Sequence, residues 1–153
     1  MRIIVLILVG VFCCIGCQKD NNDHNNDRVP LPDSKVVITE GENPEPSIID
    51  YKTCSQIEYK GDQVQICFDS LIEDSRCPIG VECVWEGTAI AKFLFTVNQV
   101  QHAVTLSTIK FPLFPSDTIL MGYKIGFVNL LPYPDINSNH DPEYKAEITI
   151  TKQ

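Results

Sequence analysis

The polarity pattern of the chain changes at Ile48. From there to the C-terminus, short runs alternate between apolar and polar side chains and are broken by turn residues, the pattern of half-buried strands. In residues 63–73, Val64, Ile66, Phe68 and Ile72 fall on one face and Gln65, Asp69 and Glu73 on the other. In residues 88–97, Ala89, Ala91, Phe93, Phe95 and Val97 line one side. Ile90 and Leu94 on the opposite side mark this strand for burial on both faces. Residues 102–106 pair with it across a turn at Asn98 and Gln99, and residues 123–131 read as a further strand. The last strand, 144–152, points Tyr144, Ala146, Ile148 and Ile150 inward and Lys145, Glu147, Thr149 and Thr151 outward. No run shows helical periodicity with caps, and no repeat is visible. About six or seven such strands predict one all-β domain over 48–153, an antiparallel β-sandwich of immunoglobulin-like kind or a small barrel. The proline-rich stretches 109–117 and 132–142 are the long loops expected to form one end of it.

Strand phase also constrains the cysteines. Of seven in the chain, Cys54, Cys67, Cys77 and Cys83 lie in the predicted domain, and three pairings of four are formally possible. Before the turn at residues 60–62, Ile57 and Tyr59 take the apolar face while Cys54, Gln56 and Glu58 take the polar one. After it, Cys67 shares the polar face with Gln65 and Asp69. A hairpin closing at Lys60 and Gly61 sets Cys54 opposite Cys67 and Ile57 opposite Val64, and a one-residue slip would put the two thiols on opposite faces. That leaves Cys77 with Cys83, where Pro78 and Gly80 help the chain reverse. Loop closure is worth about 3 kcal/mol for the hairpin bridge and about 2–2.5 kcal/mol for the small ring.

Three sharper readings of the Cys77–Cys83 stretch fit less well than a structural clip. Zinc takes four thiolate or imidazole ligands in closely spaced pairs, and Cys54 and Cys67 are strand residues far apart in sequence. A redox site calls for Cys-x-x-Cys at a helix N-terminus, and neither is present. A closed, proline-containing loop presented to a protease remains as an alternative, because such a loop is preorganised for binding.

The N-terminal part has a different texture. Residues 1–16 carry Arg2 and then an apolar run to Ile15, too short for a bilayer span of about 20 residues but suited to export. Gly16 followed by Cys17 and a polar run resembles the processing site of bacterial lipoproteins, with Cys14 where those sites usually have an aliphatic residue. The resemblance implies that Cys17 becomes the new N-terminus and carries the lipid (palmitate among its acyl chains). Cys13 and Cys14 then leave with the signal peptide. Gln18 in second place implies the outer membrane by resemblance to enterobacterial sorting. Residues 18–27, rich in Asn and Asp, resemble the acidic tethers of lipoproteins from the Bacteroides group, where surface display also occurs. Residues 17–47 are predicted to be a flexible tether, because their Asn, Asp and Pro content buries too little apolar surface to offset ordering. Residues 35–39 depart from this, either as a short strand docking on the domain edge or as an apolar patch in the tether. Export places the four remaining cysteines where thiols oxidise.

Charge removes one class of partner. The formal net charge is -8 and the basic residues are scattered singly, which argues against nucleic acid. No GxSxG, HExxH or phosphate loop occurs, so no catalytic residue, metal or cofactor is predicted. His24 reads as solvated. His102 sits in an alternating strand. His140 and Asp141 lie in an Asn- and Asp-rich loop without EF-hand spacing.

Residues 74–89, "DSRCPIGVECVWEGTA", resemble a motif Asp-Ser-Arg-Cys-Pro…Cys-Val-Trp-x-Gly-x-Ala found in uncharacterised small exported bacterial lipoproteins. The similarity extends to a strand like residues 122–134 and a final strand beginning at a Tyr, from about residue 63 to 151. The resemblance brings no activity with it. Physically the motif reads as scaffold. Arg76 ties to Asp74 or a nearby carboxylate, and Pro78 helps the loop turn. Trp85 covers the sulfurs or plugs the core end, with a surface anchor for a partner as the alternative, and Gly87 permits a bulge or close approach. The expectation is a lipid-anchored, non-catalytic binding or structural module of the cell envelope, with an envelope protein or glycan as the open partner. The alternatives are a protease-inhibitor-like domain presenting Cys77–Cys83, and a hydrolase whose site the sequence does not reveal.

Overall fold

A computed structural model describes residues 36–41, 43–110, 113–138 and 142–153. The predicted signal peptide, Cys17, most of the tether, His24, His140 and Asp141 lie outside these residues. Among the described residues nine strands form two packed sheets. One contains β3 (Cys54–Tyr59), β4 (Asp62–Asp74), β5 (Ala89–Val97) and β6 (Val100–Ser107), in that order. The other contains β7 (Asp117–Leu120), β8 (Tyr123–Leu131) and β9 (Lys145–Lys152), with β1 (Ile38–Thr39) and β2 (Ser47–Asp50) sharing the free edge of β9. The fold is thus the expected β-sandwich. From β3 to β6 and from β7 to β9 consecutive strands are neighbours, an up-and-down order rather than a Greek key, while β1 and β2 return to β9.

The hairpins follow from their turns. Lys60 and Gly61 both have positive φ, 51° and 86°, as a two-residue turn matched to strand twist requires. The turn sets Tyr59 opposite Asp62, Ile57 opposite Val64 and Cys54 opposite Cys67, the expected register. Asn98 and Gln99, with φ 48° and 71°, do the same between β5 and β6.

The inner faces bury Val64, Ile66, Phe68, Phe93, Phe95 and Leu106 against Tyr123, Ile125, Phe127, Leu130, Ile148 and Ile150. Aromatic edges cross the layers, with ring centroids 5.3 Å apart for Phe93 and Phe127 and 5.8 Å for Phe95 and Tyr123.

Two expectations are corrected. Ile72 does not join Val64, Ile66 and Phe68; it is exposed, and Leu71 packs on the core instead. The pairing of β4 with β5 slips between Phe68 and Ser70 and again between Leu71 and Glu73. Each bulge inverts the side-chain phase, so the second returns Asp74 to the inner side. The domain also begins before residue 48. Val36 and Ile38 are buried in the core, and Ile38 pairs parallel with Ile150. Of the two readings left open for 35–39, the docked strand is the one formed.

The two ends of the sandwich differ. Pairs β3–β4, β5–β6 and β7–β8 close in tight turns at one end. The three longest connections, those from β4 to β5, β6 to β7 and β8 to β9, leave and re-enter the sheets at the other.

Candidate functional site

The loop end is held by one side chain. Arg76 is 6% exposed, although an isolated buried charge is strongly unfavourable. Its guanidinium meets both oxygens of Asp74, Nε to Oδ1 at 2.7 Å and Nη2 to Oδ2 at 2.8 Å. It also donates through Nη1 to the carbonyl of Leu130 and through Nη2 to that of Pro132 at 3.0 Å. The Tyr133 ring lies 4.9 Å from the guanidinium carbon. The planar fork therefore ties the end of β4 to the end of β8 in the opposite sheet, closing the open end of the core. The expected pairing of Arg76 with Asp74 is present; the carbonyl and Tyr133 contacts had no local signal in the sequence.

Beyond Asp74 the hairpin continues without strand geometry. Ser75 N donates to Thr88 O at 2.9 Å and Cys77 N to Glu86 O at 3.0 Å. Gly87 sits between these bonds with φ +72°, and an added Cβ would lie 1.9 Å from Ser75 O. The expected close approach is real, and only glycine fits it. Cys77 and Cys83 are bonded, as are Cys54 and Cys67. Phe68 N donates to Thr53 O, which marks Cys54 and Cys67 as a non-hydrogen-bonded pair, where side chains approach closest. Inside the small ring, Val81 N donates to Pro78 O and Gly80 has φ +95°, so the chain turns at Pro78 as expected. Ile79 then pairs with the 132–138 loop, its N–H donating to Pro134 O at 2.9 Å.

Trp85 is where the expectation fails. It is 80% exposed and plugs nothing. The end of the core is already filled by the Arg76–Asp74 pair, and Trp85 lies past the last hairpin hydrogen bond, at Glu86. Other apolar residues in the connections at this end are exposed too: Ile79, Val81, Val84, Leu113 and Ile136.

A groove of about 550 Å³ opens beside Trp85 on the outer face of the β3–β6 sheet. Ile90, Ile109, Leu113 and Phe114 give it apolar walls, and Glu73 and Glu86 sit in its lining. Ile90 was expected to make β5 apolar on both faces, and it is buried here. The loop wall is fixed from below by buried Ser107, whose N–H donates to Pro115 O at 3.0 Å and whose hydroxyl donates to Phe114 O at 2.7 Å. The only local hint of this wall was the apolar density of residues 109–114 inside a proline-rich loop.

Elsewhere, Asp62 at the tight-turn end accepts from Tyr123 Oη at 2.6 Å, Asn98 Nδ2 at 2.8 Å and Lys152 Nζ at 3.1 Å. These donors, Tyr123 first, hold its carboxyl down at about 2. His102 is exposed on β6. Among the described residues, no three His, Cys, Asp or Glu side chains cluster as metal ligands. Comparison of the chain with protein-family models, curated proteins and solved structures finds no match.

Proposed function

We propose that this chain is a lipid-anchored cell-envelope protein, acylated at Cys17 and exported to the outer membrane, whose sandwich is a non-catalytic binding module working through its loop end. The observation that carries this reading is the concentration of exposed apolar side chains there, with Val84 at 101% and Trp85 at 80% exposure on a braced loop. Isolated exposed apolar residues are ordinary, whereas several on one anchored loop, Val81, Val84 and Trp85 among them, point to a partner. Paired cysteines support an oxidising compartment. The Gly16–Cys17 site and the polar tether that follows it support the anchor.

The inhibitor alternative has a specific observation against it. Serine-protease inhibitors of the substrate-like kind offer an extended strand, whereas the ring here folds into a turn at Pro78–Val81 and Ile79 is engaged by Pro134.

Two experiments test the reading. Cys17→Ser should release the protein from the membrane fraction and remove the acyl mass; retention with unchanged mass rejects the anchor. A photo-crosslinking amino acid at Val84 should form an adduct in cells, while one at Gln56 on the sheet face should not. Equal labelling at both rejects the loop end as the working surface.

A further inference from the structure

We infer that the groove beside Trp85 receives an apolar side chain of a cationic peptide segment, an aromatic or aliphatic anchor flanked by Lys or Arg on an extracytoplasmic partner. The inference deepens the loop-end reading above and rests on it.

Three features select this occupant. The volume, about 550 Å³, lies in the range of pockets that take a compact ligand group, and its walls (Ile90, Ile109, Leu113, Phe114) supply apolar surface. Trp85 stands at the rim, where aromatic anchors contribute most to recognition. The charge in its described lining is of one sign. Glu73 and Glu86 are the only charged residues of the lining, and neither takes part in an ion pair among the described residues. Of the cations near it in the sequence, Arg76 is consumed by Asp74 and Lys92 pairs with Asp69 at 3.3 Å. Lys110 adjoins Ile109 in the chain but is not part of the lining.

Carboxylates at the mouth of an apolar slot favour a basic flank and disfavour an acidic one. They also disfavour two other occupants. A second copy docked two-fold, groove to groove, would bring its own Glu73 and Glu86 against these, and an anionic lipid surface would repel them.

Trp85 is the sole tryptophan of the chain, so its emission reports this groove alone. The test uses the mature chain carrying Cys17→Ser, free of detergent, titrated with the peptides Lys-Lys-Phe-Lys-Lys, Glu-Glu-Phe-Glu-Glu and Lys-Lys-Ser-Lys-Lys. The first should shift Trp85 emission to the blue in a saturable way, more weakly as salt rises. The other two should bind at least about ten-fold more weakly, matching the loss of one buried apolar side chain or of two favourable charge contacts. The double variant Glu73→Gln/Glu86→Gln should weaken the first peptide about three- to ten-fold and remove its preference over the acidic one. Leu113→Ser, at a side chain 81% exposed and so dispensable for folding, should weaken it about ten-fold.

Equal binding of the acidic peptide overturns the inference, and so does binding untouched by Leu113→Ser. A blue shift on raising protein concentration without peptide assigns the groove to a second copy. A shift on adding anionic but not zwitterionic vesicles assigns it to a membrane surface. Either result rejects the peptide. If no peptide shifts the emission yet Val84 still crosslinks a partner in cells, the groove chemistry is wrong and the loop-end reading survives; if both fail, both are wrong.

Discussion

Replacing Arg76 by methionine keeps an unbranched apolar stem and removes the guanidinium with its charge and its donors. The structure sets the size of the effect. The Arg76 and Asp74 side chains are 5% and 11% exposed, so the variant leaves a carboxylate almost dry with no counter-charge. It also strips the carbonyls of Leu130 and Pro132 of a donor. Breaking one side of a buried pair costs about 3–5 kcal/mol, mostly the desolvation of the orphaned group. For a domain stable by about 5–15 kcal/mol, that lowers the urea midpoint by about 2 M. Arg76→Lys should recover little, because an ammonium cannot grip a carboxylate bidentately and reach two carbonyls in the same plane. Removing both charges in Arg76→Met/Asp74→Leu should cost less than the two single changes added together, by at least about 1 kcal/mol. Urea unfolding followed by far-UV dichroism gives the midpoints. Hydrogen exchange at the Cys77 and Ile79 amides shows whether the loss begins at the loop end. A destabilisation of Arg76→Met below about 1 kcal/mol, or single changes additive within about 0.5 kcal/mol, refutes the assignment of Arg76 as the tie between the sheets.

Three further outcomes follow from the same structure. Gly87→Ala should destabilise by more than about 2 kcal/mol, since strain at positive φ is joined by collision with Ser75 O. Gly61→Ala, with φ +86° but open space around it, should cost only about 1 kcal/mol; thermal melts compare the two. The Asp62 carboxyl is depressed from its ordinary 3.8 to about 2. Its contribution is therefore complete above about pH 4 and drains away as pH falls toward 2. Asp62→Asn should remove that limb from a plot of urea midpoint against pH. Opening the Cys54–Cys67 bridge, with sequence separation 13, should cost about 3 kcal/mol, and opening Cys77–Cys83, with separation 6, about 2 kcal/mol. Both losses should appear in the urea midpoint, and the second should also speed exchange locally in residues 77–86.

The parts of the fold that the sequence revealed are those governed by local chemistry. The β3–β4 register was readable because a two-residue turn at Lys60–Gly61 leaves one way to count back to Cys54, and alternation does the rest. Inward faces of β5 and β9 were equally plain. Ile72 was misplaced because a bulge adds a residue without any compositional mark, and the pattern cannot show that it has been crossed twice. Trp85 was misjudged for a different reason. Its size argues for burial, but the space it would fill is taken by Arg76, whose acceptors lie on β8, more than fifty residues away (the separation to Leu130 is 54). The groove shares that limitation, since its lining joins β4, β5 and the 75–88 connection to Ile109, Leu113 and Phe114. Strand β1 was visible only as apolar residues without a partner, because the edge that receives it belongs to the last strand of the chain.

That pairing of first with last has a cost during synthesis. A chain emerging N-terminus first delivers β1 and β2 well before β9, their only ladder partner. Ile38 and Ile49 must wait, uncovered, until Ala146 and Ile150 arrive. Premature termination within the final strand would strand both early segments with bare edges and wet isoleucines, the kind of surface that degradation machinery and aggregation compete for. The edge that β1 and β2 need is thus supplied by the strand of this sandwich that is made last.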